Sequence, residues 1–122
     1  MIDYLTLIEN AGNFTSDHAK YSDVSRKLKA LAKDYHIPVI TLAQLSRGVE
    51  QRADKRPLPS DLRESGSIEQ DADIIMLLYR ESYYNKDYEY PNELEINLAK
   101  HRDGATGTIK VNYFRSTGVI RE

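Results

Sequence analysis

The spacing of apolar positions changes several times along the chain, and each change marks an element. Ile2-Asp3-Tyr4-Leu5-Thr6-Leu7-Ile8 is mostly apolar, with one acid near its start. Such a run fits a strand buried on both faces, as in a parallel sheet. Asn10-Ala11-Gly12-Asn13 reads as a loop. Val24, Leu28, Leu31 and Tyr35 then recur three or four residues apart, with Lys20, Arg26, Lys27, Lys29 and Lys33 mostly elsewhere on the surface. That stripe predicts an amphipathic helix, capped by Ser16 or Asp17 and running to about Tyr35. His36-Ile37-Pro38 ends it. Pro38 opens a second apolar run, Val39-Ile40-Thr41-Leu42, where a missing N–H does little harm. Strand, helix, strand predicts a βαβ unit with parallel strands. Gln44 falls just beyond the second strand, at the ligand edge of open α/β sheets.

Periodicity then disappears. Residues 46–59 carry Arg47, Glu50, Arg52, Asp54, Lys55 and Arg56 with Pro57 and Pro59, a polar segment expected to be functional or mobile. Residues 60–73 are dense in charge and hydroxyls, with a short helix predicted from Ser67 to Ala72. This stretch leads directly into Ile74-Ile75-Met76-Leu77-Leu78-Tyr79, the most apolar run and the expected central strand. A polar, glycine-containing loop beside a buried strand is a common place for function, and this one is read as facing a nucleic-acid backbone. Residues 82–92 hold Tyr83, Tyr84, Tyr88 and Tyr90 among charges; these rings either stack bases or pack locally. Leu94, Ile96 and Leu98 alternate with Glu93, Glu95 and Asn97, and Ile109, Val111 and Tyr113 alternate with Lys110, Asn112 and Phe114. Two half-exposed strands joined by a basic turn predict an antiparallel hairpin at the sheet edge. The expected fold class is α/β, a mostly parallel sheet flanked by helices, over a single domain spanning residues 1–122.

Composition narrows the function classes. The chain has 122 residues, 30% of them charged, and a net charge of −2. A balance this close to neutral argues against a general polyanion binder, so nucleic-acid contact must come from a local patch or be shared among subunits. No cysteine is present, which excludes disulfides, thiolate metal sites and a cysteine nucleophile, and fits a cytoplasmic protein. No apolar run approaches the ~18 residues of a membrane span. A chain that opens inside a strand is expected to continue upstream.

Chemistry collects at the strand ends. Asp3 can hold Mg²⁺ through water, cap a helix or pair with a base. Gln44 can sense a phosphate, position water or satisfy loop backbone. Lys100 and Arg102, two apart on a turn, could both reach one phosphate, and arginine suits bidentate contact and charge stabilisation in phosphoryl transfer; the alternative is a solvated basic turn. None of the six glycines begins a G-x-x-x-x-G-K-[S/T] loop, so the usual phosphate cradle is not in this chain. His18, His36 and His101 lie at unrelated places.

Five stretches taken in order carry a family resemblance: residues 2–8, 25–32, 38–47, 60–73 and the turn Lys100-His101-Arg102-Asp103-Gly104-Ala105-Thr106-Gly107. Together they resemble the carboxyl-terminal half of the RecA-like motor domain of hexameric replicative DNA helicases of the DnaB type. The resemblance implies that Asp3 is the Walker B acid that helps bind Mg²⁺ with ATP, and that Gln44 senses the γ-phosphate and links it to the DNA loops. It implies that Arg63, Glu64 and Gly66 contact the backbone of single-stranded DNA. Lys100 and Arg102 would reach a neighbouring subunit's ATP site, with Arg102 as arginine finger. The physical logic agrees, since glycine lets backbone approach a phosphate closely and a loop of this kind grips without reading sequence. The resemblance further implies a homo-hexameric parent, with a helicase loader and primase as partners and no membrane. The phosphate loop, the catalytic glutamate and the primase-interacting domain lie upstream in that family. Alone, these residues are therefore expected neither to bind ATP tightly nor to hydrolyse it. The alternative is a non-catalytic module that docks a loader, a primase or an inhibitor protein. A recombinase-like or circadian-clock-type ATPase is disfavoured by residues 60–73.

Overall fold

Ser16 starts the first regular element. Its hydroxyl accepts from the Ala19 N–H at 3.2 Å, satisfying one of the free donors at a helix start, and helix α1 runs from Asp17 to Asp34. The computed structural model describes residues 1–8, 14–62 and 66–122, so the predicted loop at residues 10–13 lies outside the described residues. The described chain forms two compact units, Met1–Ala72 and Asp73–Glu122.

In the first unit the predicted parallel pairing forms, but the predicted strands do not. Ile2 and Thr41 make a parallel bridge, with Ile2 N–H donating to Ile40 O at 2.8 Å and Leu42 N–H to Ile2 O at 2.9 Å. The next donor to this run is Leu5, to Leu42 O at 2.9 Å. A regular parallel ladder uses every second residue and would call on Tyr4. The extra residue breaks the alternation, and the chain turns into a single 3-10 turn at Leu5–Leu7 with Leu5 buried. On α1 the stripe is only partly covered: Val24 is buried, whereas Leu31 and Tyr35 are exposed. Asp23 and Lys27 pair at 2.7 Å one turn apart on the helix surface.

Residues 46–59 are ordered around Arg52. A 3-10 turn spans Arg47–Gln51 and buries Val49. The Arg52 guanidinium donates to both oxygens of Asp61, at 3.0 and 2.7 Å, and to Arg56 O at 2.7 Å. Lys55 Nζ closes the same segment on Glu50 O and Arg52 O. Arg56 N–H donates to the Asp54 carboxylate, which holds that group below the usual carboxylate range. Helix α2, Gly66–Asp71, forms as predicted, and Ser67 donates its hydroxyl hydrogen to Ser22 of α1 at 2.8 Å.

In the second unit a four-stranded sheet has the order β1-β2-β3-β4: Ile74–Tyr79, Glu93–His101, Gly107–Phe114 and Val119–Arg121. Every pair in it is antiparallel. The apolar run of β1 is therefore an edge strand of this sheet rather than its centre. Among the described residues, parallel pairing is confined to the Ile2–Thr41 bridge. The hairpin between β2 and β3 forms as predicted, but it lies inside the sheet because β4, which the alternation did not reveal, pairs beyond it. The segment before β2 holds a short helix α3, Glu81–Tyr84. Tyr84 stacks on Tyr79 with ring centres 5.9 Å apart, and Tyr88 meets Tyr90 edge-on. The Arg80 guanidinium lies 5.3 Å from the Tyr113 ring centre. The rings thus pack against one another, with Tyr83 and Tyr90 more than half exposed.

Candidate functional site

Two groups of the expected site residues can be placed, each within its own unit. In the first unit, Asp3 follows Ile2 at the parallel bridge and is exposed. Gln44 lies beyond Thr41 on the partner run and is also exposed. Because the bridge is parallel, Asp3 and Gln44 follow it in the same chain direction, one residue past Ile2 and three past Thr41. Among the described residues no group of three or more His, Asp or Glu gathers around a metal. Mg²⁺ is commonly held by one or two carboxylates, with water and substrate phosphates completing its shell. A single exposed Asp3 fits one such ligand acting through water.

From Gln44 the backbone leads straight to the polar stretch. Leu45, the next residue, makes an antiparallel bridge with Leu62, and Ser46 N–H donates to Asp61 O at 2.7 Å. Leu62 precedes Arg63 directly in sequence. Arg63 and Glu64 lie outside the described residues, and Gly66 is the first residue of α2. The stretch is anchored on both sides of those residues. Asp61, buried, is gripped by Arg52 and accepts from Leu58 N–H at 2.7 Å, while Ser67 holds α2 to Ser22. Sequence reasoning gave Arg52 no role. An arginine followed by closely spaced prolines and an acid was the available signal, because a constrained segment of this kind needs internal hydrogen-bond partners.

In the second unit, Lys100 lies on β2 opposite Ile75, and Arg102 begins the turn to β3. The ladder between β1 and β2 jumps from the pair Ile75–Lys100 to the pair Met76–Leu98, which leaves Ala99 as an extra residue. A bulge of this kind bends the strand and re-aims the residues that follow, and bulges are over-represented beside active sites. The Arg102 N–H donates to Asp73 O at 2.8 Å, and its guanidinium donates through Nη1 to Asp73 Oδ1 at 3.0 Å. Farther round the turn, the His101 ring lies where a Cβ on Gly104 would sit, and its Nδ1 is 3.3 Å from Ala105 O. Any larger residue at position 104 would require the His101 ring to move.

Comparison with known proteins gives this geometry a family. The model of the DnaB-like helicase C terminal domain matches residues 1–121. The chain belongs to the DnaB-like helicase C-terminal domain family. It is 54% identical over 116 residues to the replicative DNA helicase DnaB of Geobacillus stearothermophilus, a match covering 94% of this chain and 26% of that protein. It is 52% identical over 116 residues to the replicative DNA helicase DnaC of Bacillus subtilis (strain 168), with the same two coverages. The chain thus spans about a quarter of the length of these DnaB-like relatives. Among solved structures it is similar to an ATPase domain, with a TM-score of 0.94 and 50% identity, covering 98% of this chain and 43% of that one. A DnaB-like replicative helicase, described with its interactions with primase, matches with the same TM-score and identity and is covered over 29% of its length.

Proposed function

We propose that these residues are the carboxyl-terminal part of the motor domain of a hexameric replicative DNA helicase, which uses ATP hydrolysis to move along single-stranded DNA and unwind the duplex. The observation that carries the reading is the Leu45–Leu62 bridge, which joins the neighbour of Gln44 to the residue before Arg63. A group sensing ATP at Gln44 would pass its displacement through one backbone pairing to the DNA-gripping residues Arg63, Glu64 and Gly66. In this reading residues 1–122 belong to one domain, whose remainder supplies the phosphate cradle and completes a RecA-like, mostly parallel sheet. Asp3 would hold Mg²⁺ through water. ATP with its ion supplies the phosphoryl transfer that drives movement. Lys100 and Arg102 would reach the nucleotide of the next subunit, where a guanidinium stabilises the charge that develops on the transferred phosphoryl. The proposed setting is the cytoplasm, with primase and a helicase loader as partners. Among the described residues no helix is long and apolar enough to cross a membrane.

The test is a full-length chimera in which this chain replaces the matching residues of the Geobacillus stearothermophilus relative. It should unwind forked DNA with ATP. Arg102→Ala should remove turnover by roughly a thousandfold or more while nucleotide binding persists. Arg63→Ala should weaken single-stranded DNA binding about equally on unrelated sequences and flatten its salt dependence. A chimera that assembles and binds nucleotide but unwinds nothing would sink the proposal. Loss of DNA binding confined to one sequence would contradict backbone gripping.

A further inference from the structure

We infer that Asp73 is the positioning residue for Arg102, orienting its guanidinium for the neighbouring subunit's nucleotide; this rests on the finger reading above. Asp73 and Arg102 are joined by two contacts of different kinds. The backbone bond from Arg102 N–H to Asp73 O, 2.8 Å, fixes where the turn leaves the sheet. The side-chain bond from Nη1 to Oδ1, 3.0 Å, fixes the direction of the guanidinium. Of the guanidinium nitrogens it is Nη1 that bonds the Asp73 carboxylate. An arginine has five N–H donors in a planar fork, so one carboxylate oxygen on one corner orients the plane and leaves the other donors for phosphoryl oxygens.

The setting makes orientation a better account than stability. Both side chains are more than half exposed, at 58% and 51%. An exposed ion pair contributes little to folding, because solvent screens it and ordering two side chains costs entropy. A long arginine on a turn has many rotamers, however, and a finger must meet its phosphate in one of them. A carboxylate at its base reduces that search before the neighbour arrives. Asp73 also closes the polar stretch 60–73 in sequence, directly before β1, so the residue that aims the finger is continuous in chain with the residues proposed to grip DNA.

The experiment uses the full-length chimera, with kcat from steady-state ATP turnover and nucleotide Kd from a fluorescent ATP analogue. Asp73→Ala should lower kcat about tenfold, within the hundredfold that a misplacement of about 1 Å can cost, and leave Kd unchanged. The backbone bond at Asp73 O survives this substitution, so hexamer formation and thermal stability should be retained. Asp73→Asn, which keeps a side-chain oxygen acceptor, should recover part of the loss. In an Arg102→Ala background Asp73→Ala should cost nothing further, the non-additivity expected of two residues acting as a unit. An enzyme that depends on Arg102 but is indifferent to Asp73→Ala would overturn this inference alone, as would losses that simply multiply. Full turnover in Arg102→Ala would overturn the finger reading itself, and the positioning role with it.

Discussion

The Tyr88 hydroxyl donates to Glu93 Oε1 at 2.7 Å, and that bond sets the acidity of the phenol. A carboxylate acceptor favours the protonated form, and the pKa of Tyr88 is pushed up from 10.0 to about 12. The stabilisation is fully present below the ordinary tyrosine pKa and is lost as pH rises through about 12, where the phenolate would face Glu93. An alkaline absorbance titration should therefore include a late phenol that Glu93→Ala returns toward 10.0. Single residues also mark the limit of what the chain discloses. Asp3, Gln44, Lys100 and Arg102 could be singled out because their residue types sit at strand ends and turns. Arg52 with Asp61, and Asp73 with Arg102, could not. The second pair lies 29 residues apart, and no local spacing rule links an acid before one strand to a base after another.

Helix α1 ends in a way that its sequence only half discloses. Ile37 N–H donates to Ala32 O at 3.1 Å and His36 N–H to Lys33 O at 3.3 Å, the paired bonds of a Schellman cap. That cap needs a left-handed residue, usually glycine, and here His36 takes it with φ at 51°. Pro38 then prevents the helix from resuming. Replacing His36 with glycine removes the Cβ penalty, roughly 1–2 kcal/mol, against about 0.4–1 kcal/mol of added unfolded-state entropy. His36→Gly should thus raise stability by about 0.5–1 kcal/mol, measured as a higher urea midpoint at unchanged slope. Elements carried by a local signal were legible: α1 with its Ser16 cap, α2 after the glycine, and the hairpin of β2 and β3 around the basic turn. Elements set by what pairs with what were not. Residues 2–8 have the composition of a strand, yet the ladder slips by one residue after Ile2. The composition of β1 announces burial on two faces, but it cannot say which strand lies beside it.

At the scale of the whole molecule the largest unanswered demand is an apolar sheet face. Residues opposite one another across a ladder share a face. The pairs Met76–Leu98 and Leu78–Ile96 between β1 and β2, continued by Ile96–Ile109 and Leu94–Val111 between β2 and β3, therefore put one apolar row after another on a single side. Met76, Leu78 and Ile109 on that side are 58–61% exposed, while Ile75, Leu77 and Tyr79 on the other side of β1 are buried. Ile40 and Leu42, flanking the parallel bridge of the first unit, are exposed too. Monomeric soluble proteins seldom leave such a face open, and an edge strand without charge invites further pairing. The solved ATPase domain, of which this chain covers 43%, indicates how much more chain such a domain contains. The reading that this remainder covers the face predicts opposite outcomes for one double substitution, Met76→Lys with Leu78→Lys. In the 122-residue chain alone, which should self-associate through the open face, the lysines should give a monomer by sedimentation, with helix and sheet content retained. In the full-length chimera the same lysines would be buried without partners at a cost of several kcal/mol each, and soluble hexamer should be lost. A full-length protein that tolerates both lysines would show that the rest of the domain packs elsewhere.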